Sequence, residues 1–193
     1  MRRGPEAFCQ RVSIHSDKQT LLVVIPALNE VSTIGAVLDE IPYSDLRGRG
    51  YEVKAIVIDN GSTDGTSDAA LQKGAQVIVE PQRGKGHAVR RAFREVTADY
   101  LFLIDGDATY PATHIPEMLT LLEDSTDVVL GSRLTGTRVP GSISRFNVVG
   151  NRLLTIFACA LFHTRTTDLC TGLWGFRGAV PSNLTLTARG FNI

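Results

Sequence analysis

Leu101-Phe-Leu-Ile-Asp105-Gly-Asp107-Ala-Thr-Tyr-Pro111 is an apolar run that ends in two carboxylates one residue apart. The run has the length and composition of a buried strand, so the two acids stand where that strand should end. Oxygen ligands so placed suit a hard divalent cation, and a cation there can hold a diphosphate. Asp107 is the first choice for direct ligation, with Asp105 either sharing the ion or bonding a ribose; Gly106 between them permits close approach. The same residues would also serve as turn-formers ahead of Pro111, so the weight of the signal comes from its surroundings.

Outward from this run, the chain alternates. Leu21 to Ile25, Val53 to Ile58, Ala75 to Val79, Tyr100 to Ile104 and Asp127 to Leu130 are short apolar runs rich in β-branched residues, which read as strands buried on both faces. Helical patterns fall between them at about 31–41, 65–73, 86–97 and 113–123, the rhythm of right-handed βαβ units. The expected fold class is α/β, a Rossmann-like and mostly parallel sheet with helices on both faces. Beyond residue 131 the pattern becomes a glycine- and arginine-bearing loop, a long apolar helix near 144–163 and a strand around Leu173 to Arg177. Residues 1–18 show no periodicity and read as a mobile arm. The 193 residues suit one domain, over 19–193.

Open α/β sheets bind ligands beyond the carboxyl ends of their strands. Here those positions hold Pro26-Ala-Leu28-Asn29-Glu30, Asp59-Asn60-Gly61-Ser62-Thr63-Asp64-Gly65, Pro81-Gln-Arg83-Gly84-Lys85-Gly86 and the Asp-Gly-Asp segment. Asp59 stands where a carboxylate can accept hydrogen bonds from a nucleobase or ribose, whereas Ser62, Thr63 and Asp64 read as turn and cap residues. Arg83 and Lys85 set two cations among glycines ahead of a helix N-terminus, an arrangement that favours anions and also occurs in ordinary loops. The spacing is not that of the nucleotide-binding phosphate loop.

Charge is balanced overall, which gives no reason to expect a nucleic acid partner, but it is unevenly spread. All four lysines lie at or before Lys85, and beyond Asp127 the only acid is Asp168, against Arg133, Arg138, Arg145, Arg152, Arg165, Arg177 and Arg189. Arginine alone suits bidentate contacts to phosphate; a solvated basic face is the plainer account. Cys9, Cys159 and Cys170 suggest neither a disulfide framework nor a zinc site, and the first twenty residues lack the apolar core of a secretory signal, so a cytoplasmic setting is expected. The stretch from Leu153 to Phe162 is about half the ~20 residues that span a bilayer, and reads as a buried or interfacial helix.

Taken together, Val24-Ile25-Pro26-Ala-Leu-Asn29-Glu30, Ile58-Asp59-Asn-Gly-Ser-Thr-Asp64-Gly65-Thr, Arg83-Gly-Lys-Gly86, Ile104-Asp105-Gly-Asp107, Gly131-Ser-Arg133, Gly150-Asn-Arg152-Leu-Leu-Thr and Thr167-Asp168-Leu-Cys-Thr-Gly172-Leu-Trp-Gly-Phe-Arg177 resemble the family 2 glycosyltransferases. The likeness is to the dolichol-phosphate mannose synthase and polyprenyl-phosphate sugar transferase branch, and runs from about residue 20 to the end. It implies a GT-A fold, Mg or Mn, a nucleoside-diphosphate sugar with GDP or UDP, and inversion at the anomeric carbon. By the same resemblance Pro26, Leu28, Glu30 and Asp59 line the nucleoside pocket, Asp105 and Asp107 meet the metal and diphosphate, and Arg133 the phosphate side of the donor. Asp168 then faces the sugar or the acceptor. A polyprenyl (dolichyl) phosphate acceptor is itself an anionic nucleophile, needing little general base, and implies a peripheral place at the cytoplasmic face of a membrane. A hydroxyl acceptor would need a base, for which Asp168 is the best candidate.

Two departures stand out. Mannose synthases carry a glutamine two positions beyond the second aspartate, where this chain has Thr109. The family also continues past a Gly-Phe-x-aliphatic-Glu segment into acceptor-side helices, and this sequence stops at Gly190-Phe191-Asn192-Ile193. The expectation is therefore a domain lacking its C-terminal acceptor-side segment, with a nucleotide-binding but catalytically incomplete fragment as the alternative. A haloacid dehalogenase-like phosphatase is a further rival, since Asp105-Gly-Asp107-Ala-Thr109 has the form of its nucleophile motif; it would want a later lysine, and none follows Lys85.

Overall fold

Thr20–Ala27 (β1) sends Leu21, Val23, Ile25 and Ala27 into one apolar cluster and Leu22 and Val24 into another, because successive side chains of a strand point to opposite faces. Glu52–Asp59 (β2) and Tyr100–Ile104 (β4) divide in the same way, with Val57 and Phe102 on the first face and Ile58 and Leu101 on the second. Each fully buried Val, Leu, Ile or Phe contributes about 1.5–3 kcal/mol, so these three strands anchor the loops that leave them. The computed structural model describes residues 18–132, 145–163, 166–178 and 180–187; the proposed arm falls outside them up to residue 17.

With Gln76–Val79 (β3), Val128–Leu130 (β5) and Leu173–Arg177 (β6), the sheet runs β3-β2-β1-β4-β6-β5. Pairings among β1, β2, β3 and β4 are parallel, and β6 lies antiparallel to both β4 and β5. Burial on both faces holds for β1, β2 and β4 but not for β3 and β5, where Val79 is 55% exposed. Those two are the outer strands of the sheet, each covered from fewer sides, and a β-branched run carries no mark of where in the sheet it will sit.

Ile34–Glu40 (α1), Thr66–Gln72 (α3) and Ile115–Glu123 (α5) supply Ile34, Val37, Ala70, Ile115 and Leu119 to the first face. Lys85–Glu95 (α4) covers the second with Ala88, Val89, Ala92 and Phe93. A short helix, Tyr43–Gly48 (α2), was not expected from the sequence: it follows Pro42 and buries only Leu46, so it shows no apolar period. Arg145–Phe162 (α6) and the single turn Val180–Asn183 (α7) flank β6 in sequence.

Register brings the functional loops together. Ala27 pairs with Asp59, Asp59 with Val79, and Val24 with Leu103, so the carboxyl ends of β1, β2, β3 and β4 share one edge. Because β6 is antiparallel, Leu173 pairs with Ile104, which brings the start of β6 to that same edge.

Candidate active site

Asn60 organises the edge from beneath. Its amide nitrogen donates to the carbonyls of Glu80 and Gln82 at 3.2 and 2.7 Å, and its Oδ1 accepts the Gly84 N–H at 2.6 Å. At 3% exposure it staples the loop after β3 to the end of β2. Gly84, at φ 128°, then turns the chain into α4 in a conformation that side chains resist. The first residue of α4 is Lys85, and its Nζ lies 2.5 Å from Asp105 Oδ1.

Pro26, Leu28, Glu30, Lys85, Asp105, Gly106 and Asp107, each expected at the site, line one cleft of about 300 Å³, together with Ala27, Asn60 and Ala88. Asp107 is exposed and its Oδ1 accepts the Thr109 N–H at 2.9 Å, across Ala108 at the uncommon φ of 58°. A non-glycine residue held in that region costs on the order of 1 kcal/mol or more, which the turn sustains in fixing the carboxylate. A Cβ added at Gly106 would stand at ordinary contact distance from Ile25, the Pro26 carbonyl and Glu30.

Asp59 does not line this cleft. It is 5% exposed, accepts the Ser62 N–H at 2.8 Å, and takes a short hydrogen bond from the Ser67 hydroxyl. Burial pushes its carboxyl up, and the bonds from Ser62 and Ser67 more than offset this, leaving it below the usual aspartate range. The neighbouring residues brace the loop after β1: Ser62 Oγ accepts the Asn29 N–H, Thr66 Oγ1 that of Glu30 and Asp64 Oδ2 that of Val31, at 2.9, 2.8 and 3.1 Å. These bonds make Ser62 and Asp64 structural, as read from the sequence, but they hold a second loop rather than only a helix end.

Arg83 is exposed and outside the cleft lining. Arg133 lies outside the described residues, as do Arg138, Arg165 and Arg189, while Gly131 is held beside β6 by its N–H to the Leu173 carbonyl at 2.9 Å. Asp168 is 1% exposed and accepts the Asn151 Nδ2–H at 2.6 Å, and it is not among the cleft-lining residues. Sequence reasoning missed Asn60, whose signal was a buried-strand terminus followed by an amide able both to donate and to accept. It also missed Gly172, whose Cα backs directly onto Asp105: a Cβ there would fall 2.1 Å from Asp105 Oδ2.

The cleft thus gathers the carboxylates of Glu30, Asp105 and Asp107 against the single ammonium of Lys85. A diphosphate entering it would be repelled unless a divalent cation came with it. The side-chain oxygens of Asp105 and Asp107 are of the kind that Mg or Mn would take as ligands. Among the described residues no three acidic, histidine or cysteine side chains cluster as a self-sufficient metal site. Such ions are commonly held by one or two carboxylates plus substrate phosphates.

Residues 22–180 match the family described as glycosyl transferase family 2. The chain belongs to that family. Among its relatives, glycosyltransferase AglJ of Haloferax volcanii is 39% identical over 89% of this chain and 54% of its own length. The dolichyl-phosphate hexose transferase of the same organism is 33% identical over 81% of this chain and 66% of its own. Glucosyl-3-phosphoglycerate synthase of Mycobacterium tuberculosis, solved in complex with Mn2+ and uridine-diphosphate-glucose, superimposes with a TM-score of 0.61 at 27% identity, over 82% of this chain and 56% of that one. The chain therefore spans about half the length of several of the proteins it matches. Family membership and the GT-A sheet agree with the expected fold and leave the phosphatase reading without support.

Proposed function

We propose that this family 2 chain binds a nucleoside-diphosphate sugar through Mg or Mn and transfers the sugar, with inversion, to a polyprenyl phosphate at a membrane surface. The convergence of Asp105, Asp107 and Lys85 on the cleft bounded by Pro26, Leu28 and Glu30 carries the reading. Pro26, Leu28 and Glu30 line the nucleoside side, and Asp59 shapes it by holding the turn at Ser62 and Ser67. Asp105 and Asp107 hold the metal, Lys85 orients Asp105, and Arg133, with Arg83 at the loop, meets the phosphates. A bound metal would supply positive charge to the departing diphosphate. The Mn2+ and uridine-diphosphate-glucose in the solved relative favour UDP and Mn for this chain.

Three observations favour a lipid-phosphate acceptor. One relative is a dolichyl-phosphate hexose transferase. Asp168 is buried, which suits an acceptor that arrives already anionic and needs no base. Finally, α6 is inverted: Asn151, Thr155 and Ala158 face inward, while Val149, Leu153, Leu154, Ile156, Phe157, Leu161 and Phe162 are each more than half exposed. No helix among the described residues is long and apolar enough to cross a membrane. A helix of this kind lies in the interface, its apolar face about 5–10 Å into the headgroup boundary.

Calorimetric titration with UDP and with GDP, each with and without Mn, tests the donor half. Metal-dependent binding of one nucleotide is expected; a folded sample that binds neither would sink the reading.

A further inference from the structure

The helix that exposes its apolar face is tied by polar side chains to the segment 168–172, whose far end abuts Asp105 of the cleft. Among the described residues, α6 makes no extensive contact with any strand or other helix. Instead, Asn151 Nδ2 donates to Asp168 Oδ1 at 2.6 Å, Thr155 Oγ1 accepts the Leu169 N–H at 3.0 Å, and Asn151 Oδ1 accepts the Thr155 hydroxyl at 3.2 Å. Asn151, Thr155 and Asp168 are all buried. A buried polar network of this kind is costly when broken and therefore fixes geometry.

Four residues beyond Asp168 stands Gly172. Its carbonyl accepts the Asp105 N–H at 3.1 Å, and its Cα lies against the Asp105 carboxylate and the Tyr110 ring. Tyr110 in turn donates its hydroxyl to the Cys170 carbonyl at 3.4 Å, and Trp174 Nε1–H donates to the Thr171 carbonyl at 2.9 Å. The segment 168–172 is thus gripped at one end by α6 and abuts Asp105 at the other.

From this we infer that Asn151, Thr155 and Asp168 are positioning residues for the metal-binding carboxylate. They hold the 168–172 segment so that Gly172 sets the place of Asp105, and they link α6 to the donor cleft. The assignment rests on the proposed donor site and gives Asp168 a role other than proton acceptor. In this role its side chain acts through the hydrogen bond it accepts from Asn151, which an amide oxygen at position 168 can also accept.

The test is calorimetry with whichever of UDP and GDP the wild-type chain binds, comparing Asn151→Leu, Thr155→Val, Asp168→Leu and Asp168→Asn. Loss of groups that orient a metal ligand commonly costs 10–100-fold, so the affinity gained from Mn should fall about tenfold or more in the two leucine variants and in the same direction in Thr155→Val. Affinity without Mn should change by less than about twofold, a split that general destabilisation would not produce. Asp168→Asn, which keeps an acceptor oxygen, should restore the gain. Trp174 is the only tryptophan, so its emission reports the segment without any ligand and should shift in the leucine variants and in Thr155→Val but not in Asp168→Asn. Should Asn151→Leu fail to fold, Thr155→Val decides, since valine keeps the shape and removes only the hydroxyl. A wild-type gain from Mn in Asn151→Leu, or in Thr155→Val if that is the folded one, overturns the inference while leaving the donor site standing. Absence of binding by the wild-type chain overturns both.

Discussion

Replacing Gly172 by alanine should damage donor binding more than it damages the fold. The backbone there lies outside the left-handed region, so alanine introduces no conformational strain, and the effect is one of contact alone. The added Cβ would meet Asp105 Oδ2 at 2.1 Å and the Tyr110 ring at 2.9 Å. Ordinary carbon–oxygen contacts begin at about 3.3 Å, so the carboxylate must retreat by about 1 Å. That movement strains both the Lys85 pair at 2.5 Å and the Asp105 N–H bond to the Gly172 carbonyl. Misplacement by 1 Å can cost about 100-fold, which corresponds to about 2.8 kcal/mol in metal-dependent nucleotide affinity. Overpacking should also lower stability by about 1–3 kcal/mol, or roughly 2–12 °C in Tm for a chain of this size. Calorimetry with Mn and the nucleotide, alongside thermal unfolding, reads both. Gly48→Ala, whose Cβ would meet nothing within 4 Å, is the control and should leave binding unchanged. Gly172→Ala with wild-type Mn-dependent affinity would refute the claim that this contact sets Asp105.

Other substitutions separate the remaining parts. Asp107→Ala removes an exposed carboxylate, so stability should move by no more than about 1 kcal/mol while the affinity gained from Mn disappears; retained gain would take Asp107 out of the metal site. Asp59 has a depressed folded pKa, so its stabilisation is present above the unfolded value of about 3.9 and lost as pH falls through the folded one. Urea unfolding across pH 2–6 should therefore show a shallower acid loss for Asp59→Asn than for wild type, and parallel curves would contradict the bonding to Ser62 and Ser67. Phe157→Ser together with Phe162→Ser should weaken sedimentation with anionic vesicles roughly tenfold or more, since each buried phenylalanine is worth about 1.5–3 kcal/mol. Unchanged sedimentation would remove the outer face of α6 from membrane docking.

The succession of strands and helices in the donor half was legible because its signals are local. Runs such as Leu21 to Ile25 and Tyr100 to Ile104 are apolar at every position, a pattern that only a strand covered on both faces needs. The polar and glycine-bearing segments that follow them could be placed at one edge because strands joined by βαβ crossovers run parallel and end on the same side. Less was legible where meaning depends on neighbours distant in sequence. Asn60 reads as one more turn residue until the carbonyls of Glu80 and Gln82 are seen around it. Helix α2 has too little apolar period to be found, and the exposure of β3 and β5 follows from their rank in the sheet.

By itself the sequence determined the α/β class, the family and the pairing of Asp105 with Asp107, since each rests on residue types at short spacing along the chain. Only the tertiary structure decided which acids share a cleft and which are enclosed. Asp59 ends β2, Asp105 directly follows β4 and Asp168 lies in the segment ahead of β6, yet Asp105 alone of the three lines the cleft while the other two are almost fully enclosed. The orientation of α6 was likewise undecided, because an apolar helix in a sequence carries no label for the side on which its neighbours will stand. In the structure Asn151 and Thr155 stand on the inward side, hydrogen-bonded and buried, and the apolar face stands outward.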